Sequence, residues 1–329
     1  MYGYTTFHPK IMQTLIDTVH HGRNSHAYIF EGDAGLGLKQ AAQLFAAALT
    51  CTSTPTAPCG LCSACIQTKA QTNPDVVYVN SGEKKSISVD TMRGVSEDAY
   101  IRPFYKKHKV YIIEEGDLLT EQAQNAFLKV LEEPPGYVVF ILLVTNATLL
   151  LQTIRSRATL IHFSPVPEQV LKQYILDHYP EAEQRLPFLL KYANGNPGTA
   201  DAVLMDENFE SLREASLGKL TALLSPHRIS SYEISDFMEQ NKDFADTVLD
   251  FWISYLRDIL MIQCDMPQNQ MNIDKNLQPF VARFDPHVVV LAVEELLRAK
   301  QMLRRYVNLK ALSLGFSLRI KEKTKALSL

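Results

Sequence analysis

Short apolar runs alternate with amphipathic stretches through the first half of the chain. Strands are predicted over residues 27–30, 76–79, 109–113, 137–144 and 159–163, and the runs at 109–113 and 137–144 are of the kind that is buried in a parallel sheet. Between them the apolar residues recur at helical spacing, which predicts helices over about 8–19, 38–49 and 121–133, and another that begins near Asp90. Strands that alternate with helices in this way predict a parallel, doubly wound α/β sheet.

The pattern changes after Pro165 and becomes helical only. A turn is predicted at 194–198, where the sequence reads NGNPG. Residues 244–262 and 288–303 each carry a broad apolar stripe, so we expect these two helices to bury their faces against each other in an all-α domain. Cys264, next to the first of them, is predicted to be a small core residue.

Length and charge narrow the class of protein. With 329 residues and a hydrophobic fraction of 46%, the chain is long enough for two or three domains with buried cores. Its 33 basic and 36 acidic residues give a net charge of −3, without the global basic signature of a free-standing nucleic-acid binder. A small basic stretch at 106–109 is predicted to be a solvated loop rather than a phosphate contact. Residues 1–25 lack a signal-peptide pattern and the longest apolar run, 138–144, is too short for a bilayer, so we expect a cytoplasmic protein without a membrane partner.

The first predicted strand runs into a glycine-rich turn and then an alanine-rich helix, the context of a phosphate-binding loop. The candidate cofactor-binding glycines are Gly32, Gly35 and Gly37. Gly32 and Gly37 have the separation that such a loop needs, but Leu38 stands where a phosphate-binding Lys is expected and Lys39 where a magnesium-binding Ser or Thr is expected. The backbone cradle is kept while its charge and its metal hydroxyl are lost. We therefore predict a nucleotide-type fold that no longer uses ATP.

Two carboxylates, Glu114 and Glu115, follow the strand at 109–113 directly. In P-loop ATPases an acidic residue at this strand end holds Mg²⁺ and the next one polarises the attacking water. The pair fits that role, although Glu114 stands where an Asp is usual. Without the preceding loop, two glutamates after a strand would more often indicate a solvated turn. Thr145 and Asn146 end the next strand, where they would orient a γ-phosphate or, as we favour, cap the following helical segment.

Four of the five cysteines fall within fifteen positions and predict a metal centre. The candidate ligands are Cys51, Cys59, Cys62 and Cys65. Two overlapping C-x₂-C pairs and a fourth Cys can supply four thiolates to a tetrahedral Zn²⁺, and Gly60 permits the turn between two of them. A closed set of four thiolates predicts a structural zinc. An iron–sulfur cluster is the alternative, but its usual downstream Cys-Pro is missing, and disulfides suit an oxidising compartment.

A set of segments carries a family resemblance: HAYIFEG with its loop, the four-Cys insert, KVYIIEEGDLLTEQAQNAFLKVLEEPP, TNATLLLQTIRSRA and ANGNPGTA. In this order they resemble the bacterial DNA polymerase III clamp-loader subunits of the AAA+ family, and within it the δ′ branch. The C-terminal third matches less specifically, through YLRDIL at 255–260 and the residues at 306–309. The resemblance implies an α/β P-loop (AAA+) domain over 1–164 with a zinc module at 51–65, a helical lid over 165–207 and an all-α collar over 208–329.

Departures from the family pattern point to a member that does not hydrolyse ATP. Active subunits carry Gly-Lys-Thr or Gly-Lys-Ser in the loop, and they carry an Arg in the lid where this chain has Gly198. The resemblance therefore implies that the site formed by the three glycines, Lys39, Glu114 and Glu115 holds no ATP. The alternative is an active subunit of the gamma/tau type, in which Lys39 would have to reach the phosphates from a displaced position. A zinc-containing DNA-binding module is a third reading, which the near-neutral charge disfavours.

One family feature remains chemically intact. The Ser-Arg-Cys motif of the family corresponds to Ser156, Arg157 and Ala158. The resemblance implies that Arg157 is an arginine finger that reaches a neighbouring subunit's ATP site, where a guanidinium stabilises the charge on the γ-phosphate. The implied partners are gamma/tau-like ATPase subunits and a delta subunit, with the sliding clamp and primer-template DNA reached through the assembly. We expect no activity from the chain alone, because its phosphate loop is degenerate, and polymerase activity would belong to the holoenzyme of which it is a part.

Overall fold

The structure is a computed structural model that describes residues 7–53, 57–82, 84–105, 107–225, 230–272, 277–281, 284–303 and 308–327. The chain divides into two compact units. The first contains the described residues up to Leu171 together with Gly195–Gly198, and the second contains Lys172–Asn194 and the described residues from Thr199 onward. The division into three domains over 1–164, 165–207 and 208–329 stays a prediction.

The first unit is built on a five-stranded sheet in which every pairing is parallel. Its strands are β1 (Ala27–Glu31), β2 (Val76–Val79), β3 (Lys109–Ile113), β4 (Val138–Val144) and β5 (Thr159–His162), in the spatial order β2-β3-β4-β1-β5. All five strands were predicted from their apolar runs, and the parallel doubly wound sheet is confirmed. β4 lies in the middle and is buried along its whole length.

Helices cover both faces of this sheet. Since consecutive side chains of a strand point to opposite faces, each strand contributes to both apolar layers. The helices before and between the strands are α1 (Pro9–His20), α2 (Leu38–Thr50), α3 (Ser63–Lys69), α4 (Val89–Asp98), α5 (Glu121–Glu132) and α6 (Gln152–Arg155). Tyr111 belongs to the apolar layer that includes the α5 residue Phe127, while its neighbour Ile112 belongs to the layer that includes the α2 residue Phe45. The apolar runs of β1, β3 and β4 therefore follow from burial on both sides, while the edge strand β5 is largely exposed.

The strand order brings three chain segments to one edge of the sheet. The glycine-rich turn follows β1, Glu114 follows β3 and Thr145 follows β4. Because the strands are parallel, these three carboxyl ends lie on the same side. The chain crosses from β1 to the far edge strand β2 and returns, and ligands of open α/β sheets bind at such a reversal of strand order.

After β5 the chain is helical wherever the structure describes it. The helices are α7 (Glu168–His178), α8 (Leu186–Ala193), α9 (Pro197–Met205), α10 (Phe209–Leu223), α11 (Ser231–Gln240), α12 (Ala245–Gln263), α13 (Gln278–Val281), α14 (Pro286–Leu303) and α15 (Leu309–Leu327). The predicted packing of α12 against α14 is confirmed. The core of the second unit includes the fully buried Trp252, whose Nε1–H donates to the Ser216 carbonyl at 2.8 Å. The predicted turn contains Asn194 and Gly195 at positive φ.

Two expectations are corrected by the structure. Cys264 is exposed rather than a core residue, because α12 ends at Gln263 and Cys264 already lies in the turn that follows. Lys109 is buried rather than in a solvated loop, because it opens β3 and its ammonium pairs with Asp98 at 2.8 Å. Lys106, and Tyr306 and Val307 of the weaker family match, lie outside the described residues. No helix in the described ranges has the length and apolar character needed to span a membrane.

Candidate nucleotide-loop site and candidate metal centre

All six residues predicted for the nucleotide site line one cavity of about 500 Å³ at the carboxyl edge of the sheet. They are Gly32, Gly35, Gly37, Lys39, Glu114 and Glu115. The topology explains why residues so distant in sequence meet, since each follows one of the parallel strands that end at this edge. The sequence therefore located the cavity, while the function of its residues stays a prediction.

The loop keeps the backbone geometry of a phosphate cradle. Gly35 and Gly37 adopt φ of +94° and +85°, in the left-handed region that residues with a Cβ rarely occupy, and Gly37 caps the N-terminus of α2. Gly32 is required for a different reason, because a Cβ there would lie 2.8 Å from the Phe163 carbonyl oxygen. The positions of these glycines are therefore explained by positive φ angles at two of them and by a close backbone contact at the third.

The chain itself covers part of this loop. The Asn196 side chain donates its Nδ2–H to the Ala34 carbonyl at 2.7 Å, and the Gly198 N–H donates to the Gly35 carbonyl at 3.1 Å. A Cβ on Gly198 would lie 2.5 Å from the Gly35 Cα. An arginine at position 198, as in the active family members, is therefore incompatible with this close packing.

The two altered loop residues both line the cavity. Leu38 is half-buried, packs against the apolar layer of α2 and β1, and as an apolar residue supplies no charge to the cavity. Lys39 extends its ammonium to Glu114, with Nζ 2.7 Å from Oε1. The side chain of Glu114 is 16% exposed, which makes this a partly buried ion pair. The position that should bind magnesium through a hydroxyl thus carries a cation of its own.

Other polar groups at this edge are also paired within the protein. The carboxylate of Asp117 accepts the Thr145 N–H at 2.7 Å, the Thr145 hydroxyl at 2.9 Å and the Asn146 N–H at 3.4 Å. The Asn146 side chain accepts the Thr148 N–H, which confirms the predicted cap of the short helical turn Ala147–Leu149. Sequence reasoning missed Asp117 and Asn196, because each acts through contacts with loops that are remote in sequence.

Glu115 holds an unusual backbone conformation beside the cavity. Its φ is +56°, a left-handed value that is strained for a residue with a side chain. Its carboxylate accepts the Ser81 hydroxyl at 2.7 Å, which ties the end of β3 to the loop after β2. With Glu114 paired to Lys39 and an uncharged leucine at position 38, the residues present do not fit a bound magnesium nucleotide.

Arg157 lies outside this cavity, in the turn between α6 and β5. Its guanidinium donates to Glu132 Oε1 at 3.0 Å and to the Thr153 carbonyl at 3.0 Å. The side chains of Arg157 and Glu132 are 36% and 54% exposed. An exposed ion pair of this kind contributes about 0–1 kcal/mol, so the guanidinium can exchange Glu132 for another anion at little cost.

The four predicted metal ligands form a compact cluster. The sulfur atoms of Cys51, Cys59, Cys62 and Cys65 all lie within 4.8 Å of one another. The sulfur atoms of Cys51 and Cys62 are 4.0 Å apart, which is about twice the length of a disulfide bond. This distance is close to the roughly 3.8 Å that separates two sulfurs in a tetrahedron with Zn–S bonds of about 2.3 Å. Gly60 adopts φ of +72°, as predicted for the turn between two ligands.

Backbone N–H groups point at these sulfurs and favour thiolates. The Cys62 N–H donates to Cys59 Sγ at 3.3 Å, and the Cys65 N–H donates to Cys62 Sγ at 3.5 Å, which also caps α3. Burial alone would raise the pKa of Cys62, but the N–H and hydroxyl of Thr52 and the Cys65 N–H outweigh it and lower the pKa to about 6. Burial raises the pKa of Cys65, and a bound cation would offset that effect.

Buried polar contacts attach the cluster to the sheet domain. Asn73 donates its Nδ2–H groups to the Thr68 hydroxyl at 2.8 Å and the Ala64 carbonyl at 3.2 Å, both in α3, and to the Thr50 hydroxyl in α2 at 3.4 Å. The ammonium of Lys107 donates to the Cys51 carbonyl. The four thiols can therefore hold a metal ion in a rigid setting, which is compatible with structural zinc.

The parallel sheet and its glycine-rich loop are those of an α/β P-loop domain of the AAA+ type, and a helical part follows it. A family model described as "DNA polymerase III, delta subunit" matches residues 7–167. The δ′ subunit of Bacillus subtilis DNA polymerase III is 26% identical over 313 residues, 92% of this chain and 93% of that protein. The resemblance to the DNA polymerase III subunits of the δ′ branch, predicted from the motifs, is therefore confirmed.

Gamma/tau subunits match a shorter part of the chain. The gamma/tau subunit of Mycobacterium tuberculosis is 30% identical over 190 residues, which are 56% of this chain and 33% of that protein. The tau subunit of B. subtilis is 29% identical over 276 residues, 76% of this chain and 48% of that protein. This chain thus spans a third to a half of the gamma/tau relatives, but nearly the whole of the δ′ relative.

Proposed function

We propose that this chain is a non-hydrolysing, δ′-like subunit of the DNA polymerase III clamp loader and helps to place the sliding clamp on primed DNA during replication. The observation that carries the proposal is the Lys39–Glu114 ion pair inside a phosphate-type loop. The δ′ relative supports the same assignment because the match covers 92% of this chain and 93% of that protein. In this proposal the cavity keeps its architecture as a scaffold and binds no ATP.

Arg157 is the group that this subunit contributes to ATP hydrolysis elsewhere in the assembly. Its partners in the proposal are gamma/tau-like ATPase subunits and a delta subunit, and it acts on a γ-phosphate held by a gamma/tau-like neighbour. The weak exposed pair with Glu132 supports this role, since Arg157 is held in place without being buried. Zinc in the four-cysteine cluster has a structural role, because four thiolates leave no open coordination position.

An active ATPase of the gamma/tau type is the second candidate. The 30% identity to the M. tuberculosis gamma/tau subunit favours it. It requires Lys39 to leave Glu114 and reach a phosphate, and it requires another group to hold magnesium. Calorimetric titration of the folded chain with ATP and Mg²⁺ separates the two candidates. We expect no binding, whereas micromolar binding would favour the ATPase.

Substitution of Arg157 tests the assembly role. In a clamp loader reconstituted from this chain and its partners, Arg157→Ala should leave assembly unchanged. It should lower the DNA-stimulated ATPase rate by about 10³-fold, the lower end of the effect of arginine fingers in GTPases, if the neighbouring site dominates that rate. Arg155→Ala, an exposed arginine two residues away, is the matched control and should have no effect. An unchanged rate with Arg157→Ala would contradict the proposed role.

A further inference from the structure

Lys39 occupies a position in which an ammonium is unexpected. It is the second residue of α2, at the positive end of the helix dipole, where anions rather than cations are stabilised. The side chain extends away from the helix, so that Nζ lies 2.7 Å from Glu114 Oε1 and 5.9 Å from the centre of the Tyr78 ring. A carboxylate and an aromatic face are both partners that stabilise a cation.

We propose that Lys39 is a built-in cation that replaces Mg²⁺ in this loop and makes the site independent of metal. In a metal-binding loop the residue at this position and the acidic residue after the strand meet through Mg²⁺. Here the same two positions meet directly, through the ammonium of Lys39 and the carboxylate of Glu114. The inference deepens the proposed function by naming the residue that excludes metal, and it rests on the non-hydrolysing part of that function.

The charge of the cavity explains why an internal cation is needed. Of the described residues that line it, four are carboxylates, namely Asp33, Glu114, Glu115 and Asp117, and one, Lys39, is a cation. Asp117 is stabilised by Thr145 and Asn146, and Glu115 by Ser81, but Glu114 has Lys39 as its charged partner. Without Lys39, Glu114 would be a partly buried carboxylate that needs another cation.

Magnesium alone is the direct probe of this exchange. We expect millimolar Mg²⁺ to leave the thermal midpoint of the unaltered full chain unchanged. In Lys39→Thr, which restores a hydroxyl beside Glu114, Mg²⁺ should raise the midpoint by about 2–4 °C, and dialysis into Mg²⁺-free buffer should reverse the rise without removing zinc from the four-cysteine cluster. Lys39→Arg keeps a cation and should remain insensitive to Mg²⁺. If Lys39→Thr does not fold, Lys39→Gln takes its place, with the same shift expected because Glu114 is again left without a cation.

Restoring the complete loop motif gives a second readout. The double variant Leu38→Lys/Lys39→Thr should bind ATP about 100-fold more tightly with Mg²⁺ than in Mg²⁺-free buffer, whereas Leu38→Lys alone should show no such dependence on Mg²⁺. A Lys39→Thr chain that stays insensitive to Mg²⁺, or an unaltered chain that is stabilised by it, would overturn the role of Lys39. Neither result affects the Arg157 test. Binding of ATP by the unaltered chain without metal would instead overturn the proposed function, but it would leave the role of Lys39 intact.

Discussion

At the scale of single residues, Asp117 shows how the site is held together. Its carboxylate accepts three hydrogen bonds from the end of β4, two from Thr145 and one from Asn146. A carboxylate that accepts several N–H and O–H groups fixes a loop more firmly than a neutral acceptor would. Asp117 therefore positions the strand end that, in an active ATPase, would face the γ-phosphate.

Removing this carboxylate should destabilise the fold. Asp117→Ala leaves the two N–H groups and the hydroxyl without their acceptor, and we expect the free energy of unfolding to fall by about 1–2 kcal/mol. Urea unfolding followed by circular dichroism measures the change. Asp33→Ala, which removes an exposed carboxylate from the same cavity, is the control and should change stability by less than about 0.5 kcal/mol. Equal effects of the two substitutions would contradict the positioning role of Asp117.

At the scale of helices and strands, Asp98 joins the end of α4 to the start of β3. Its carboxylate accepts the Tyr111 hydroxyl at 2.7 Å and pairs with the Lys109 ammonium at 2.8 Å. Partial burial alone would raise the pKa of Asp98, but the hydrogen bonds from Lys109 and Tyr111 and the charge of Lys109 outweigh it and lower the pKa. The contact is therefore stronger when Asp98 is ionised.

This contact predicts a pH dependence with a definite sign. A carboxyl group with a lowered folded-state pKa contributes stability above its unfolded-state pKa, which is about 3.9, and loses it as the pH falls through the folded-state value. The difference in unfolding free energy between the unaltered chain and Asp98→Asn should therefore shrink as the pH is lowered from about 6 to 3. Since the Asp98 side chain is 40% exposed, we expect less than about 1 kcal/mol. A difference that stays constant over this range would show that the charge of Asp98 is not involved.

The positions of the helices and strands were easier to predict from the sequence than the contacts of single side chains. The strands β1, β3 and β4 follow from apolar runs, because a strand that is buried on both faces has no polar side, whereas the edge strand β2 is partly buried and the edge strand β5 is largely exposed. The glycines follow from backbone conformations that only a residue without a Cβ adopts easily. The pairing of Lys39 with Glu114 could not be predicted, since a lysine at that position can reach the cavity or solvent. The prediction that Cys264 is a core residue was wrong, because the exact end of a helix decides whether the residues near it are buried.

At the scale of the whole molecule, the two compact units carry different reporters. The four-cysteine cluster lies in the first unit, while the single tryptophan of the chain, Trp252, is buried in the second. Circular dichroism follows both units, whereas the fluorescence of Trp252 follows the second. A change confined to the four-cysteine cluster therefore tests whether the units unfold together.

We expect the substitution Cys62→Ser to make the two units unfold in separate thermal transitions. It removes one of the four thiolates, while the Ser hydroxyl can still accept the Cys65 N–H at the start of α3. The zinc that we propose for the cluster should therefore be lost, and the first unit should melt about 5 °C or more below its usual midpoint. The Trp252 transition should keep its midpoint, because the second unit has its own buried core. Cys264→Ser, at an exposed cysteine outside the cluster, is the matched control and should change neither zinc content nor either transition. If the Trp252 transition falls together with the dichroism signal, the two units unfold as one cooperative structure.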